Sequence, residues 1–315
     1  MTNNPPVWPT EHIDLEVASR WVVSRCGHEV GSVEILQVKV WGVTARFGNV
    51  ALKASFTPLY PQVTEVHAVL EGAAPGRAPR LIATEMVHGQ LWTLFDHVRG
   101  PTAEEVGTPD ALVSTGRALA AVQVAVAEQD LTRLPAIDVR LVPRLLLEDL
   151  EDQPAEWVEW LHDAQPTLQA DAEALAAIPR SLDHPDVNSS NAILCDDDRV
   201  VLLDWEEATV GCPLFSLNRL LQDAHEHSAV DRVMSAYLDG FPWGSQRAVE
   251  SALRLVPLKL AIECRAFARG LGFPHPHSRL TARLLKLARE RSTWKPGDPL
   301  LHLSQIPRAA PAQSA

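Results

Sequence analysis

The sequence predicts an α+β protein with a small sheet-rich N-terminal lobe and a larger helical C-terminal lobe. The first third of the chain alternates short apolar runs with turn residues such as Gly48-Asn49, a pattern that is typical of strands. From about residue 110 onward, apolar residues instead recur at helical spacing. Strands followed by helices favour two unequal lobes, and the change of pattern at Gly100-Pro101 predicts the boundary between them.

Strands account for most of the first lobe. A break at Trp41-Gly42 separates the first two strands, and a turn at His88-Gly89 makes the last two a hairpin. Pro61 is suited to the first turn of a helix, which we expect to run to about Glu71 with valine and leucine on one face. The expected strands cover residues 33–40, 43–47, 50–54, 80–87 and 91–98.

Helices are expected to dominate the second lobe. They are predicted at residues 110–129, 140–150, 154–164 and 167–177, and again over most of the chain between residue 204 and about residue 292. The loose composition at both ends predicts flexible termini. The expected division is an N-terminal extension with a helix (1–29), a sheet lobe (30–100), a helical lobe (101–302) and a flexible tail (303–315).

The overall composition limits the partners of the protein. Of its 315 residues, 28 are Lys or Arg and 40 are Asp or Glu, so the formal net charge is −12. An acidic chain is poorly suited to nucleic acid or an anionic membrane and is compatible with a cationic substrate. The start lacks the pattern of a signal peptide, and no apolar run is close to the roughly 20 residues that span a bilayer. The scattered cysteines, without a CxxC pair, are expected to be free thiols in a reducing cytoplasm.

One polar stretch, HPDVNSSNAILCDDDRVVLLDWE at 184–206, carries most of the functional information. Two short apolar runs flank an acidic turn, which predicts a hairpin. Because the two ends of a hairpin meet, Asn191 and Asp204 are expected to face each other, with Asp186 one loop away. Mg²⁺ takes one or two such protein oxygens and leaves its other positions to water and phosphates. The stretch therefore predicts a magnesium site beside a base for a hydroxyl group, and the alternative is a surface loop next to an ordinary hairpin.

HPDVNSSN resembles the HxDxxxxN catalytic loop of the aminoglycoside phosphotransferase and choline kinase family, small-molecule relatives of the protein kinases, and LLDWE resembles their second metal motif. The resemblance implies a two-lobed protein-kinase-like fold with a nucleotide in the cleft. It also implies that Asp186 accepts the hydroxyl proton and that Asn191 and Asp204 hold Mg²⁺. His184 would orient the loop. The order of elements extends the similarity over roughly residues 30–290, whereas the motifs are confined to 184–207.

The resemblance also implies which residues hold the nucleotide. Lys53 lies in the apolar strand VALKAS, where an unpaired charge is costly, so it needs a partner or a ligand unless its head reaches water at a sheet edge. In kinases this lysine contacts the phosphates and pairs with a glutamate of the next helix, a role that falls to Glu65, with Glu71 as the other candidate. Gly42 alone represents the glycine-rich loop, which leaves ATP and GTP both open. Backbone groups of residues 96–99 would bind the purine.

Four positions depart from the family pattern. Pro185 replaces the usual glycine of the catalytic loop, and Gln123 stands where a histidine is common. Ser216 stands where an acid normally braces the catalytic segment, and Cys212 replaces a second acid. None of these changes removes a proposed catalytic group. They keep a second hypothesis open, a catalytically weak kinase-like module that binds nucleotide.

The predicted activity is transfer of the γ-phosphoryl group of ATP or GTP to a hydroxyl of an aminoglycoside- or choline-like molecule. Acids and aromatic residues beyond the hairpin are candidates for a cationic acceptor pocket, namely Glu206, Glu207, Asp223, Glu226, Glu263, Trp205 and Trp243. A hypothesis from another class is a metal site at His225/His227 or His275/His277. A spacing of two does not place ligands on one face of a helix, which disfavours the first pair.

Overall fold

The computed structural model describes residues 13–39, 42–56, 62–148, 150, 153–271, 280–293 and 305. The helices are α1 (Leu15–Cys26), α2 (Val63–Ala73), α3 (Ala103–Val106), α4 (Pro109–Ala127), α5 (Val142–Leu147), α6 (Ala155–Ala176), α7 (Leu217–Glu226), α8 (Val230–Gly240), α9 (Gln246–Leu271) and α10 (Thr281–Arg291). The strands are β1 (Val33–Lys39), β2 (Gly42–Phe47), β3 (Val50–Phe56), β4 (Leu81–Val87), β5 (Gln90–Asp96), β6 (Ser181–Asp183), β7 (Ala192–Leu194), β8 (Val200–Leu202) and β9 (Thr209–Gly211).

The first lobe is built on an antiparallel five-stranded sheet in the order β1-β2-β3-β5-β4. Apolar side chains on one face of β2, β3 and β5, among them Phe47 and Leu52, form its core. Helix α1 covers this core with Ala18 and Val22, so the N-terminal helix and the sheet bury one another. The predicted sheet lobe is confirmed, and the strand ends at residues 40 and 41 lie outside the described residues.

β3 lies at the centre of the sheet, where its backbone is paired on both sides. Lys53 stands opposite Thr44 of β2 and Thr93 of β5. The lysine therefore belongs to a central strand, and its ammonium group cannot reach water at an open sheet edge. Helix α2 follows, with Val63, Val66 and Leu70 buried as the predicted stripe; its expected first residue, Pro61, lies outside the described residues.

Helix α4 is at the centre of the helical lobe. Thr108 accepts a hydrogen bond from the backbone of Ala111, and Pro109 occupies the first turn, so the start of the helix is capped. Among the described helices, α4 is the one long and apolar enough to cross a membrane, and 61% of its apolar window is buried inside the protein. The predicted helix at 110–129 is confirmed, but the expectation that no apolar run comes close to the length that spans a bilayer is wrong for this helix, where Arg117 and Gln123 interrupt the run in the sequence. Its burial against neighbouring helices is the property of a core helix.

The prediction of two helices at 154–164 and 167–177 is wrong, because α6 runs without a break from Ala155 to Ala176 and contains Pro166. A proline inside a helix removes one backbone hydrogen bond and usually kinks or ends the helix. Here Leu161 and Leu168, which lie two turns apart, are both buried against the core. Their packing on one continuous face offsets the local loss at Pro166, a contribution that the sequence pattern does not reveal.

The predicted hairpin is confirmed as β7 and β8, with Ala192 opposite Leu202 and Leu194 opposite Val200. The linker between the lobes lies directly on this hairpin. The amide of Leu194 donates to the carbonyl of Pro101 at 2.9 Å, and Thr102 forms an isolated bridge with Ile193. Gly100 has a φ of 138°, and a Cβ atom there would lie 2.2 Å from the carbonyl oxygen of Leu194. Only glycine fits so close an approach.

Candidate active site

The two ends of the hairpin bring the polar motif residues together. The amide of Leu203 donates to the carbonyl of Asn191 at 2.8 Å, which places Asp204 beside Asn191 as predicted. Asp186 lies on the loop between β6 and β7. The side-chain Nδ2 of Asn191 donates to the backbone carbonyl oxygen of Asp186 at 2.9 Å and to Oδ2 of Asp186 at 3.4 Å. The side chains of Asp186 and Asn191 are therefore in contact, and Asp204 follows at the same end of the hairpin.

His184 connects the two halves of this cluster. Its Nε2 lies 2.6 Å from the carbonyl oxygen of Leu203, and its Nδ1 accepts a hydrogen bond from the amide of Asp186 at 3.2 Å. The ring is fully buried and meets the ring of Trp205 edge-on at 4.6 Å. Burial lowers the pKa of His184, so the ring is neutral with its proton on Nε2. One side chain thus fixes the Asp186 loop to the strand that ends at Asp204.

Asp186 has a partner that the sequence analysis did not anticipate. The Nε of Arg219, on α7, lies 3.2 Å from Oδ1 of Asp186. The carboxylate remains half-exposed, with 52% of the side chain accessible, so it faces the cleft while one oxygen is held. Arg219 lies 33 residues away in the sequence and belongs to no motif. Arg219 shares its face of α7 with Gln222 and Asp223, so the helical pattern does not single it out.

Lys53 pairs with two carboxylates beneath the sheet. It forms a short ion pair with Asp204, and its Nζ lies 2.8 Å from Oε1 of Glu206. Burial alone would lower the pKa of Lys53, but Glu206 and Asp204 raise it above the ordinary value. The pKa of Asp204 is lowered: burial opposes this, and the positive charge of Lys53 outweighs burial. At neutral pH the site therefore holds a charged ammonium group between two carboxylates.

Glu65 does not fill the role that the kinase pattern gave it. Its side chain is exposed, and among the described residues it forms no ion pair with Lys53. The buried face of α2 carries Val66 and Leu70 and turns His67 towards the cleft, which leaves Glu65 on the solvent side. Glu206, which follows the Asp-Trp motif and is 6% exposed, takes the position of the buried acid. Glu71 is also exposed on α2.

Asp204 has a φ of 61° and a ψ of 42°, the left-handed conformation. A non-glycine residue rarely adopts it, and aspartate and asparagine tolerate it best because their short side chains bond locally. The chain turns there from β8 into a single 3₁₀ turn, Trp205–Glu207. This turn directs the carboxylate of Asp204 into the cleft and the Trp205 side chain into the core.

Two connected cavities lie between the lobes. The first has a volume of about 210 Å³ and a largely apolar lining that includes Leu36, Ala51, Phe95, Val98 and Leu203. The second, of about 70 Å³, lies under the β1–β2 hairpin and is lined by polar groups of Lys39, Gly42, Thr44, Lys53 and Asp204. Both include Lys53, Asp204 and Glu206. An apolar chamber next to a polar one that contains Lys39 and Lys53 fits a flat aromatic base followed by a chain of phosphates.

Gly42 is the sequence-predicted member of the phosphate loop that the structure describes. It lines the smaller cavity, and a Cβ atom there would lie 2.8 Å from the carbonyl oxygen of Ala54. Glycine therefore lets β2 approach β3 closely at the cavity wall. Residues 96–98 line the cavity of about 210 Å³. The backbone amide of Asp96 donates to the carbonyl oxygen of Arg80 at 3.0 Å, and the backbone amide of His97 donates to the carbonyl oxygen of Asn49 at 2.9 Å.

The residues proposed for an acceptor pocket have varied positions. Trp205 is fully buried against His184 and cannot line a pocket, so that assignment is wrong. Glu206 is buried and pairs with Lys53. Asp223 accepts a hydrogen bond from the amide of Ser189 at 2.7 Å and so supports the catalytic loop. Glu263 pairs with Lys259 at 2.6 Å. The remaining candidates, Glu207, Glu226 and Trp243, are exposed.

The histidine metal hypothesis finds no support among the described residues. His225 lies on α7 and His227 caps its end, and both are exposed. His275 and His277 lie outside the described residues. A search of the described part of the chain finds no group of three His, Cys, Asp or Glu side chains that could hold a metal ion. The described cysteines are free thiols.

The lobes, the hairpin and the cleft define a protein-kinase-like fold. Solved structures with this fold include a choline/ethanolamine kinase family protein from Mesorhizobium loti (TM-score 0.63, 15% identity, 91% of this chain and 93% of that one). A mutant aminoglycoside 2'-phosphotransferase IIIa in complex with GDP matches with a TM-score of 0.62 and 14% identity over 89% and 97% of the chains. Choline kinase LicA from Streptococcus pneumoniae matches with a TM-score of 0.60 and 13% identity over 88% and 98%.

The particular family is shown by sequence. The model of the phosphotransferase enzyme family, APH, matches residues 37–249, which is more than half of the chain, and the protein belongs to this family. No curated protein matches the sequence. Family and fold together support a small-molecule phosphotransferase.

Proposed function

We propose that the protein transfers the γ-phosphoryl group of a nucleoside triphosphate to a hydroxyl group of a small molecule, with Mg²⁺ as the cofactor. The observation that carries the proposal is the contact of Asn191 with Asp186 and of Lys53 with Asp204, where an apolar cavity lies next to a polar one that contains two lysines. Each group required to hold a nucleotide and to accept a hydroxyl proton is present within this one site.

Asn191 and Asp204 fit Mg²⁺. The amide nitrogen of Asn191 is bonded to Asp186, and its Oδ1 accepts no hydrogen bond from the described residues. The carboxylate of Asp204 is 44% accessible in the cleft. An amide and a carboxylate oxygen form the small, hard donor set that Mg²⁺ combines with phosphates and water. When bound there, Mg²⁺ would neutralise charge on the phosphates.

The side chains of the protein would supply positioning and electrostatics. Asp186 would accept the hydroxyl proton, with its carboxylate held in direction by Arg219 and its loop held by His184. Lys53 would bind phosphate oxygens, and the apolar cavity beside Phe95 and Val98 would take the base. Precise placement of this kind provides most of the rate enhancement in phosphoryl transfer.

The proposal is tested with two conservative variants and a control. Asp186→Asn should keep Mg-ATP or Mg-GTP binding, measured by thermal shift, and lose at least about 100-fold in turnover, because general-base catalysis typically contributes 10²–10⁴-fold. Asp204→Asn should lose Mg²⁺-dependent nucleotide binding. Asp197→Asn, on the exposed turn of the same hairpin, should change neither. Full turnover by Asp186→Asn would contradict the assigned role.

The acceptor and the donor are identified by a screen. ADP and GDP release would be measured from each nucleotide with choline, aminoglycosides and neutral sugars. We expect release that depends on the acceptor, and the acidic net charge favours a cationic one. The second candidate function is a kinase-like nucleotide-binding module. Saturable nucleotide binding with no turnover on any acceptor or on water would favour that module.

A further inference from the structure

A buried charged cluster lies behind the catalytic loop, outside the cleft. Asp183, the last residue of β6, and Lys259, on α9, are each 1% exposed, and their charged atoms lie 2.6 Å apart. Lys259 also pairs with Glu263, one turn further along α9, at 2.6 Å. Burying a lysine and an aspartate is costly unless they pair. The mechanism above uses none of these residues, so their presence needs a separate explanation.

The cluster is connected to the catalytic loop through Ser216. The hydroxyl of Ser216 donates to Oδ1 of Asp183 at 3.0 Å. It accepts hydrogen bonds from the backbone amide of His184 at 2.8 Å and from the side-chain amide of Gln123 at 2.9 Å. Ser216 stands where the family resemblance places an acid that braces this segment. The carboxylate is therefore still present, but it comes from Asp183 and acts through a hydroxyl group.

The hydrogen-bond inventory leaves one arrangement for this hydroxyl. Serine has one proton and two lone pairs. The backbone amide of His184 and the side-chain amide of Gln123 can only donate here, so among these three partners the single proton of Ser216 goes to Asp183. The ammonium group of Lys259 lies against the other oxygen of Asp183 and so holds that carboxyl group in place.

We infer that Lys259 and Asp183 are positioning residues for the catalytic loop, acting through Ser216 on His184 and from there on Asp186. The effect on catalysis rests on the proposed function. The chain of contacts from Lys259 to His184 does not depend on it. Without Lys259, Asp183 would be an unpaired buried carboxylate and would take up a proton or turn away. The Ser216 hydroxyl would then lose its fixed orientation. The loop would keep its fold, but the direction of Asp186 would be less well defined.

The chain provides a matched control for a purely structural effect. Arg254 lies on the same helix as Lys259, and its Nη2 pairs with Asp171 at 2.6 Å; the two side chains are 17% and 11% exposed. Neither residue of that pair contacts the catalytic loop in the described structure. Arg254→Met and Lys259→Met both replace an ion-paired cation of α9 with an apolar side chain. Both should destabilise the protein, and Lys259→Met alone should loosen the loop.

Hydrogen–deuterium exchange tests the connection without any activity. In Lys259→Met, a peptide covering residues 183–191 should exchange at least about 10-fold faster than in wild type, at a temperature where global unfolding is negligible. In Arg254→Met the same peptide should keep its wild-type rate. Ser216→Ala, which leaves the Asp183–Lys259 pair intact, should also loosen the peptide, so the test stands even if Lys259→Met does not fold. Equal loop exchange in wild type and Ser216→Ala would overturn the inference.

Kinetics give the second readout. With Mg-ATP, and either the acceptor from the screen or water, Lys259→Met and Ser216→Ala should each lower kcat by about 10-fold or more and change the nucleotide KM less than about twofold. The two effects should not add in the double variant, since both break one chain of contacts. Lys259→Arg should restore part of the loss. Additive losses, or an equal loss in Arg254→Met, would contradict a positioning role. Absence of turnover in wild type would refute the proposed function and leave the exchange result standing.

Discussion

Replacing Glu206 with glutamine should weaken nucleotide binding more than any change on helix α2. Glu206 is 6% exposed and lies 2.8 Å from the ammonium group of Lys53, whereas Glu65 is exposed and does not pair with it. Lys53 has a second partner in Asp204, which is also the proposed metal ligand. When a metal ion is coordinated by Asp204, Glu206 is the carboxylate that still holds the Lys53 side chain in position. Its contribution should therefore be larger with Mg-nucleotide bound than without it.

The magnitude follows from the type of hydrogen bond. Glutamine at position 206 keeps an oxygen near Lys53 and removes the charge. A hydrogen bond to a charged group contributes about 1.5–3 kcal/mol and a neutral one about 0.5–1.5 kcal/mol. The ammonium group of Lys53 keeps its charge in the variant, so only one of the two charges is lost, and the cost should be about 1 kcal/mol, or roughly a 5-fold increase in the nucleotide Kd. Glu65→Gln, a change on an exposed face, should stay within about 0.5 kcal/mol of wild type.

Isothermal titration with a non-hydrolysable nucleotide, at fixed Mg²⁺, measures both variants directly. Urea unfolding without nucleotide provides the stability comparison, in which Glu206→Gln should show a smaller loss because Asp204 still pairs with Lys53. A roughly 5-fold loss of affinity in Glu65→Gln, together with wild-type affinity in Glu206→Gln, would refute the assignment of Glu206 as the partner of Lys53.

Two further predictions concern stability. Gly100→Ala should cost at least about 2 kcal/mol in urea unfolding, because its Cβ would lie 2.2 Å from the carbonyl of Leu194 at a φ of 138°, whereas Gly72→Ala in α2, with open space around it, should be neutral or stabilising. Burial raises the pKa of Glu263 to about 7, against the pull of Lys259, from an ordinary value of 4.5. Between pH 4.5 and about pH 7 the folded state thus holds one proton more than the unfolded state, so the free energy of unfolding of the wild type falls as pH rises through this range. Glu263→Gln lacks this loss, and its free energy of unfolding minus that of the wild type should be larger at pH 8 than at pH 5. An equal difference at both pH values would count against this explanation.

Local patterns were sufficient to predict the sheet lobe and the hairpin. The motif residues are neighbours in sequence, and hairpin geometry alone brings Asn191 to Asp204. Lys53 was predicted as a site residue because a charge in an apolar strand needs a partner. For these features, the information lies within a few residues of chain, and elementary geometry completes it.

Contacts between elements that are distant in the chain could not be predicted from the sequence. Glu65 and Glu206 are both acids near the right elements, and the rotation of α2 about its axis decides which one meets Lys53. The missing acid at Ser216 looked like a weakened brace, because nothing in the sequence joins Asp183 to Lys259, 76 residues later. Two helices were predicted on either side of Pro166, whereas the structure has one. The burial of Leu161 and Leu168 offsets the hydrogen bond that Pro166 removes, and this burial depends on distant parts of the chain.

The attachment of the interlobe linker has a mechanical consequence. His97 is bonded to Asn49 and moves with the sheet, whereas Pro101 is bonded to Leu194 and moves with the catalytic hairpin. A rotation of one lobe against the other would therefore act on the short segment between them, residues 98–100. Val98 also lines the apolar cavity. With the proposed nucleotide base bound there, opening of the cleft and release of the base would involve the same peptide units.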